Sequence, residues 1–230
     1  MATFVLIHMA CAGAWAWGRV SDLLREAGHD VIAPDLDLSA GQTPQSHAAA
    51  VGALVPQTDD VVLAGHSYGG MVLPPLAELL AGRARSLIVL DGYVPGDGES
   101  LLSLRPAEVV ADRRAAAAER GDGLWPPPVA SPGDPEWMSR LVPMPLSAFE
   151  EPVRVTPEVA ALPSTFIRCT RSDMGQEQAE RARRRGWRVA EIEATHFAPL
   201  TRPEVCAHAL LASLRRDPGA GSSAIRAADS

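Results

Sequence analysis

Residues 59–69 most strongly constrain what this chain can fold into. Gly65, Ser67 and Gly69 fit the pattern Gly-x-Ser-x-Gly, the apolar run VVLA precedes the first glycine, and residues 68–82 follow as a predicted helix. A strand, a sharp turn and a helix are the context in which this pattern exposes a serine hydroxyl at the edge of a sheet. The stretch therefore predicts that Ser67 is an activated nucleophile and not a structural turn residue.

Strands and helices alternate along most of the chain. The predicted strands cover residues 3–8, 30–36, 59–67, 84–95, 164–170 and 187–194. The predicted helices cover residues 15–29, 45–55, 68–82, 103–120, 176–186 and 204–216. Such alternation is typical of a parallel sheet with helices on both faces. We therefore expect an α/β fold with a mostly parallel, six-stranded sheet.

Residues 95–162 interrupt this alternation. They are rich in proline, they contain Trp125 and Trp137, and only residues 103–120 are clearly helical in pattern. Open α/β sheets bind ligands at the carboxyl ends of their strands, so we expect an inserted cap over that edge; a proline-stiffened surface loop is the alternative. We expect residues 1–216 to form one domain and residues 217–230 to be a disordered tail.

The composition restricts the functional classes. A net charge of −7 and a pI of about 5.4 disfavour nucleic-acid binding, and we interpret the basic run 181–185 as a solvated helix face. The three cysteines match no metal motif, which favours a reducing, cytoplasmic location. The N-terminus is predicted to be a strand and not a signal peptide, and no membrane span is expected.

A serine nucleophile requires a base, and His196 is the best placed of the six histidines. It follows the last predicted strand, at the edge where Ser67 is expected. His8 and His66 also lie at strand ends, but we interpret them as residues that fix turns. His47 is expected on the surface.

The acid that orients the base has two candidates. Asp173 follows the predicted strand 164–170. Asp91 ends the run SLIVLD (86–91) within the predicted strand 84–95. Because the carboxyl ends of parallel strands meet at one edge, either carboxylate could accept the imidazole N–H. An exposed turn position is the alternative interpretation of Asp173.

The chain resembles the small esterase and hydroxynitrile-lyase family of the α/β-hydrolase superfamily over about residues 3–215. The resemblance is carried by FVLIHMACAGAWAW (4–17), AGHSYGGMV (64–72), LIVLDGYVPGDGES (87–100), IRCTRSD (167–173) and ATHFAPLTRPE (194–204). It implies the α/β-hydrolase fold, with Ser67 as nucleophile and His196 as base. It also implies an oxyanion hole made by the backbone N–H groups of Ala10 and Tyr68.

Two positions depart from the family pattern. The family's acid is the second residue after Cys-Thr, where this chain has Ser172, with Asp173 one residue later. We predict Asp173 as the acid and keep Asp91 as the alternative. Met9 stands where family esterases have glycine, which lets substrate approach the oxyanion amides closely.

Three functions remain open at this point. We expect a serine esterase that acts on a small, largely apolar ester or lactone, with Met9 and Trp125 as substrate contacts. A non-hydrolytic lyase, cyclase or isomerase is the alternative that Met9 suggests, and a non-catalytic binding protein is the third. No cofactor, metal, nucleic-acid or membrane partner is expected, because the chain contains no phosphate loop, dinucleotide fingerprint or metal cluster; a homodimer is left open.

Overall fold

The computed structural model describes residues 1–127 and 135–214 of the chain. Six parallel strands form one sheet in the order β2-β1-β3-β4-β7-β8, and β5 and β6 form a separate antiparallel pair. The strands are β1 (Thr3–Ile7), β2 (Asp30–Ile32), β3 (Val61–His66), β4 (Ala84–Leu90), β5 (Leu124–Trp125), β6 (Met144–Pro145), β7 (Ser164–Cys169) and β8 (Arg188–Ile192). The predicted six-stranded parallel sheet is confirmed.

Helices cover both faces of this sheet. They are α1 (Gly18–Glu26), α2 (Pro44–Gly52), α3 (Gly69–Leu79), α4 (Ala107–Arg120), α5 (Ser147–Glu150), α6 (Pro157–Ala160), α7 (Gly175–Arg184), α8 (Ala198–Thr201) and α9 (Pro203–Ser213). Alternate strand residues point to opposite faces. Accordingly Leu63 packs in the core under α2, α3 and α7, whereas its neighbours Val62 and Ala64 pack in the core under α1 and α9.

Two predicted elements differ from the observed ones for local reasons: one strand is shorter, and one helix is divided. β4 stops at Leu90 and not at residue 95, because Asp91 has a φ of +40°, which no strand accommodates. The predicted helix 103–120 is divided into a 3₁₀ turn and α4. Pro106 causes the break: it forces Arg105 into an extended conformation, with φ −122° and ψ 153°.

The two ends of the segment 95–162 lie side by side. Glu99 and Val153 form an antiparallel bridge that joins the two ends of the segment. Between them lie α4, the β5–β6 pair and α5. From this segment, the Val142 N–H donates to the Cys11 carbonyl oxygen at 2.9 Å, and the Phe149 ring packs 6.0 Å from the Tyr68 ring. The predicted boundaries of domain, cap and tail stay predictions, and residues 217–230 lie outside the described residues.

No helix in residues 1–127 and 135–214 combines the length and apolarity needed to cross a membrane. Nor do those residues contain a group of three or more His, Cys, Asp or Glu side chains arranged to hold a metal ion.

The core under α3 offers a test of the packing. Leu63 is fully buried in the central strand β3, so Leu63→Ala removes buried methyl groups and leaves a cavity. We expect the free energy of unfolding to fall by about 2–5 kcal/mol in urea titrations. The matched control is Leu54→Ala, because Leu54 is 57% exposed and should change stability by less than about 0.5 kcal/mol. Equal losses in the two variants would contradict the assignment of Leu63 to the core.

Candidate active site

Ser67 lies in a strained turn between β3 and α3. Its φ is +54°, in the left-handed region that a non-glycine residue seldom adopts. Glycines let the backbone pack tightly enough to hold this turn. A Cβ on Gly65 would lie 2.5 Å from the carbonyl carbon of Gly69, and a Cβ on Gly69 would lie 2.5 Å from the carbonyl oxygen of Ile7. The Gly-x-Ser-x-Gly pattern therefore serves the close contact that exposes the serine.

A second strained turn at the end of β4 supports the first. The Ser67 N–H donates to the Leu90 carbonyl oxygen at 3.2 Å, and the Tyr93 N–H donates to the Ser67 carbonyl oxygen at 3.2 Å. Gly92 lies between them, and a Cβ there would meet that same Ser67 oxygen at 2.6 Å. The nucleophile turn and the Asp91 turn thus hold each other in place.

His196 pairs with Asp91. The His196 Nδ1 and the Asp91 Oδ2 are 2.8 Å apart, the carboxylate is fully buried, and the histidine side chain is 22% exposed. This corrects the expectation that Asp173 holds the imidazole. Asp173 is exposed on the surface, and only Asp91, on the strand next to Ser67, turns its carboxylate inward onto the histidine. The left-handed conformation of Asp91 produces that inward turn.

The surroundings of Asp91 favour its charged form. Burial alone would raise the pKa of this carboxyl, but hydrogen bonds from the His196 and Ser172 side chains outweigh it, so the pKa lies below its usual range. The Cys169 N–H adds a hydrogen bond to Oδ1 at 3.1 Å. Gly175, the first residue of α7, packs so closely against Oδ1 that a side chain would not fit. The positive end of that helix also favours the carboxylate.

Ser172 is a residue whose role the sequence did not reveal. It occupies the position that the family pattern gives to the acid, and its side chain donates to the Asp91 carboxylate. The sequence did contain an indication of this contact. A serine stands at the family's acid position, and an aspartate ends the neighbouring strand.

The backbone N–H groups of Ala10 and Tyr68, the predicted oxyanion-hole donors, are without acceptors in the described part of the chain. His8 orients the Ala10 amide: its Nδ1 lies 2.8 Å from the Met9 carbonyl oxygen, and its Nε2 accepts from the Leu36 N–H at 3.1 Å. Because C=O and N–H point in opposite directions across a trans peptide, fixing the Met9 carbonyl also fixes the Ala10 N–H.

Two further histidines support the turn and the base. His66 Nε2 lies 2.8 Å from the His196 carbonyl oxygen, which fits the predicted turn-fixing role. His47 was expected on the surface, but it is buried, and its Nδ1 lies 2.8 Å from the Tyr68 hydroxyl. His47 lies in the alanine-rich helix α2, whose sequence does not indicate this contact.

An apolar cluster next to the site contains Met9. Met9 is buried, and its cluster includes Trp137 from the segment 95–162 and Phe197, the neighbour of the base. The Trp137 and Phe197 rings are 4.6 Å apart between centroids. Trp125 lies elsewhere: its ring packs at 5.6 Å from that of Phe149. The structure therefore brings Met9 and Trp137 into one apolar cluster and Trp125 into another.

The His196 ring lies next to the residue that precedes Ser67 in the chain. His66, the residue before Ser67, has its ring centroid 4.9 Å from that of His196. No hydrogen bond joins Ser67 to His196 in the described part of the chain. Catalytic hydrogen bonds are often long without substrate and shorten when it binds.

Comparisons with known proteins agree with this geometry. A model of the alpha/beta hydrolase family matches residues 4–209. A carbendazim hydrolyzing esterase of Nocardioides sp. (strain SG-4G) is 35% identical over 178 residues, covering 66% of this chain and 73% of that protein. The polyneuridine aldehyde esterase of Rauvolfia serpentina is 34% identical over 110 residues, covering 43% of this chain and 41% of that protein.

Solved structures extend the likeness of fold to almost the whole chain. An extracellular alpha/beta-hydrolase from a Paenibacillus species superposes with a TM-score of 0.83 and 23% identity. The match covers 94% of this chain and 100% of that one. At this level of identity the likeness shows the fold, and it confirms the predicted α/β-hydrolase architecture.

The buried histidines predict how stability depends on pH. Burial lowers the pKa of His66 from 6.5 to about 3, and that of His8 to about 4. Between these values and 6.5, the unfolded chain binds protons that the folded chain does not. Each histidine therefore stabilises the fold fully above pH 6.5, and this contribution is lost as the pH falls, by about 1.4 kcal/mol per pH unit.

The variant His66→Gln isolates one of these contributions, because glutamine retains a donor but does not titrate. We expect urea unfolding at pH 7, 6 and 5 to give a shallower loss of stability in the variant than in the wild type. Parallel curves would show that His66 is not a source of the acid sensitivity.

Proposed function

Because the chain belongs to the α/β-hydrolase family, we propose that Ser67, His196 and Asp91 form the catalytic triad of this esterase. The chain is a carboxylic ester hydrolase by its family and by its esterase relatives. The observation that carries the triad is the 2.8 Å contact between His196 Nδ1 and the buried Asp91 carboxylate. It replaces the earlier choice of Asp173.

The first half of the reaction acylates the serine. Ser67 Oγ attacks the ester carbonyl carbon, and His196 Nε2 takes the hydroxyl proton. The same imidazole then gives that proton to the alkoxide as the C–O bond breaks and the alcohol leaves. Asp91 accepts the Nδ1–H throughout, which keeps Nε2 free to act as the base and stabilises the imidazolium.

The second half returns the free enzyme. A water molecule gives a proton to His196 and attacks the acyl carbon, and the Ser67 oxygen leaves with the proton that the imidazole releases. The products are one carboxylic acid and one alcohol for each ester and water consumed. In both halves the tetrahedral oxyanion accepts hydrogen bonds from the Ala10 and Tyr68 N–H groups, which donate to no other group within residues 1–127 and 135–214.

The walls of the site support a small, largely apolar ester or lactone as substrate. The cluster around Met9, Trp137 and Phe197 provides an apolar surface next to the base. The Nocardioides relative is named for the hydrolysis of carbendazim. We propose that the substrate of this chain is of comparably small size, with Met9 limiting the space over the oxyanion amides. Trp125 and Met9 remain the proposed substrate contacts.

The competing functions have less support. The relatives reported above are esterases, so a lyase, cyclase or isomerase is less favoured. A binding protein would not need a buried carboxylate aligned on a histidine beside a strained serine. We keep a cytoplasmic location as a proposal, supported by three buried cysteines that are all free. A homodimer stays a prediction that nothing in the structure tests.

Replacing the nucleophile tests the proposal most directly. We expect Ser67→Ala to lower kcat for short p-nitrophenyl esters by roughly 10⁶ and to abolish labelling by an alkyl fluorophosphonate. Intact-protein mass spectrometry and a chain-length series from acetate to octanoate are the measurements. The control is Ser139→Ala, an exposed serine that should behave as the wild type. A folded wild type that neither reacts nor hydrolyses any ester would refute the triad.

A pair of isosteric variants identifies the acid. Asp91→Asn places a donor against Nδ1 and favours the wrong tautomer, so kcat should fall by about 10³–10⁴ while the fold is kept. Asp173→Asn should leave kcat unchanged, since Asp173 lies on the surface. Steady-state kinetics with one ester compares the two. The reverse ranking would restore the original prediction.

A further inference from the structure

Two arginines of the segment 95–162 lie together near the nucleophile. The Arg113 guanidinium lies over the Trp125 ring at 4.5 Å and near the Phe149 ring at 5.0 Å. Arg105 lies beside the buried Tyr93 hydroxyl, and both guanidiniums are close enough to that hydroxyl to oppose the rise of its pKa that burial causes. The two positive charges therefore lie close to one buried hydroxyl.

Neither arginine has an anionic partner within residues 1–127 and 135–214. In that part of the chain, no carboxylate oxygen lies within 4.0 Å of either guanidinium. The Arg105 Nε is also buried without a hydrogen-bond acceptor. By contrast Arg114, the next residue, is exposed and pairs with Glu150 at 2.8 Å. Arg105 and Arg113, both partly buried, therefore differ from the exposed Arg114 of the same segment in having no carboxylate neighbour within the described residues.

The arrangement is unfavourable without an anion. Burial lowers the pKa of Arg113, and the nearby charge of Arg105 lowers it further. The aromatic contacts compensate in part, since a cation over a ring gains about 0.5–2 kcal/mol. They leave the hydrogen-bonding capacity of the guanidinium unused. A planar guanidinium is suited above all to binding a carboxylate through two parallel hydrogen bonds.

Three contacts connect this pair to the catalytic residues. Tyr93 donates its backbone N–H to the Ser67 carbonyl oxygen. Cys11, whose thiol is close enough to Arg113 for each to affect the other's pKa, directly follows Ala10 of the oxyanion hole. Phe149 packs with its ring 6.0 Å from that of Tyr68. The residues that surround the guanidiniums therefore adjoin the nucleophile turn and the oxyanion amides.

We propose that Arg105 and Arg113 form an anion subsite that binds a carboxylate on the ester substrate itself. The substrate class is then the half-ester of a dicarboxylic acid, with one end esterified and the other ionised. The inference rests on the proposed role of Ser67. Hydrolysis breaks the single ester bond, consumes one water, and yields the free dicarboxylate and the alcohol; the distal carboxylate takes no part in the bond changes.

A matched pair of substrates tests the subsite. The monomethyl and dimethyl esters of succinate, glutarate, adipate and suberate share the reacting group and differ in the charge of the far end. We expect kcat/KM for at least one half-ester to exceed that of its diester by about 10–100-fold, the value of a charge-assisted pair of hydrogen bonds. The preference should weaken as salt is raised.

Variants show whether the arginines cause the preference. Arg113→Gln and Arg105→Gln should reduce kcat/KM for the half-ester by about 10-fold or more and leave the diester unchanged. Arg113→Lys should retain part of the preference, because it retains the charge but loses the bidentate geometry. Arg114→Gln is the control and should match the wild type for both substrates. Thermal melts verify that each variant is folded.

A binding measurement separates this inference from the proposed catalysis. In Ser67→Ala, isothermal titration with monomethyl and dimethyl glutarate should show tighter binding of the half-ester, lost in Ser67→Ala/Arg113→Gln. Hydrolysis of diesters without any preference for half-esters would overturn the subsite and leave the esterase proposal standing. Selective binding of half-esters through Arg113 without turnover would support the subsite and overturn the proposed catalysis. Equal binding of both ligands would overturn the subsite.

Discussion

The geometry of the site depends on the close packing of two strained turns at the carboxyl ends of adjacent strands. Ser67 and Asp91 both have a positive φ, and the backbone hydrogen bonds that join their turns leave room only for glycine at position 92. Such strain costs about 1–3 kcal/mol per residue and persists only where the surroundings enforce it. Here two parallel strands with a fixed register enforce it. The nucleophile and the acid are thus positioned by one rigid unit.

The proposed acid lies at the end of a different strand from the one that the family pattern predicts. β7 and β4 are neighbours, so a carboxylate at the end of either strand can reach a histidine after β8. In this chain Ser172 takes the position after β7 and donates to Asp91. A buried carboxylate needs several donors to stay charged, and the serine, the Cys169 amide and His196 provide them.

The fold and the sharp turn that holds Ser67 could be predicted from the sequence because their signals are local, and the same is true of the position of His196 after the last strand of the sheet. An apolar run, a Gly-x-Ser-x-Gly turn and a helix are adjacent in the chain. A histidine that directly follows the last parallel strand must lie at the carboxyl edge of the sheet. The choice of Asp91 over Asp173 had no such signal. Both residues follow predicted strands, and the decisive difference is a backbone φ of +40° that no side-chain pattern reports. The burial of His47 was missed because its partner Tyr68 is 21 positions away in the chain.

The sequence by itself determined the α/β architecture and the sharp turn at Ser67, because hydrophobic periodicity and glycine placement act over a few residues; the role of His196 as the base stays a proposal. The tertiary structure alone decided which carboxylate meets the histidine, how His8 orients the Ala10 amide, and that Arg105 and Arg113 lie together without an anionic partner in the described part of the chain. These are contacts between segments that are far apart in the chain. They depend on the strand order and on the return of residues 95–162 over the sheet edge, and a side chain's burial and charge partners are defined only once that packing exists.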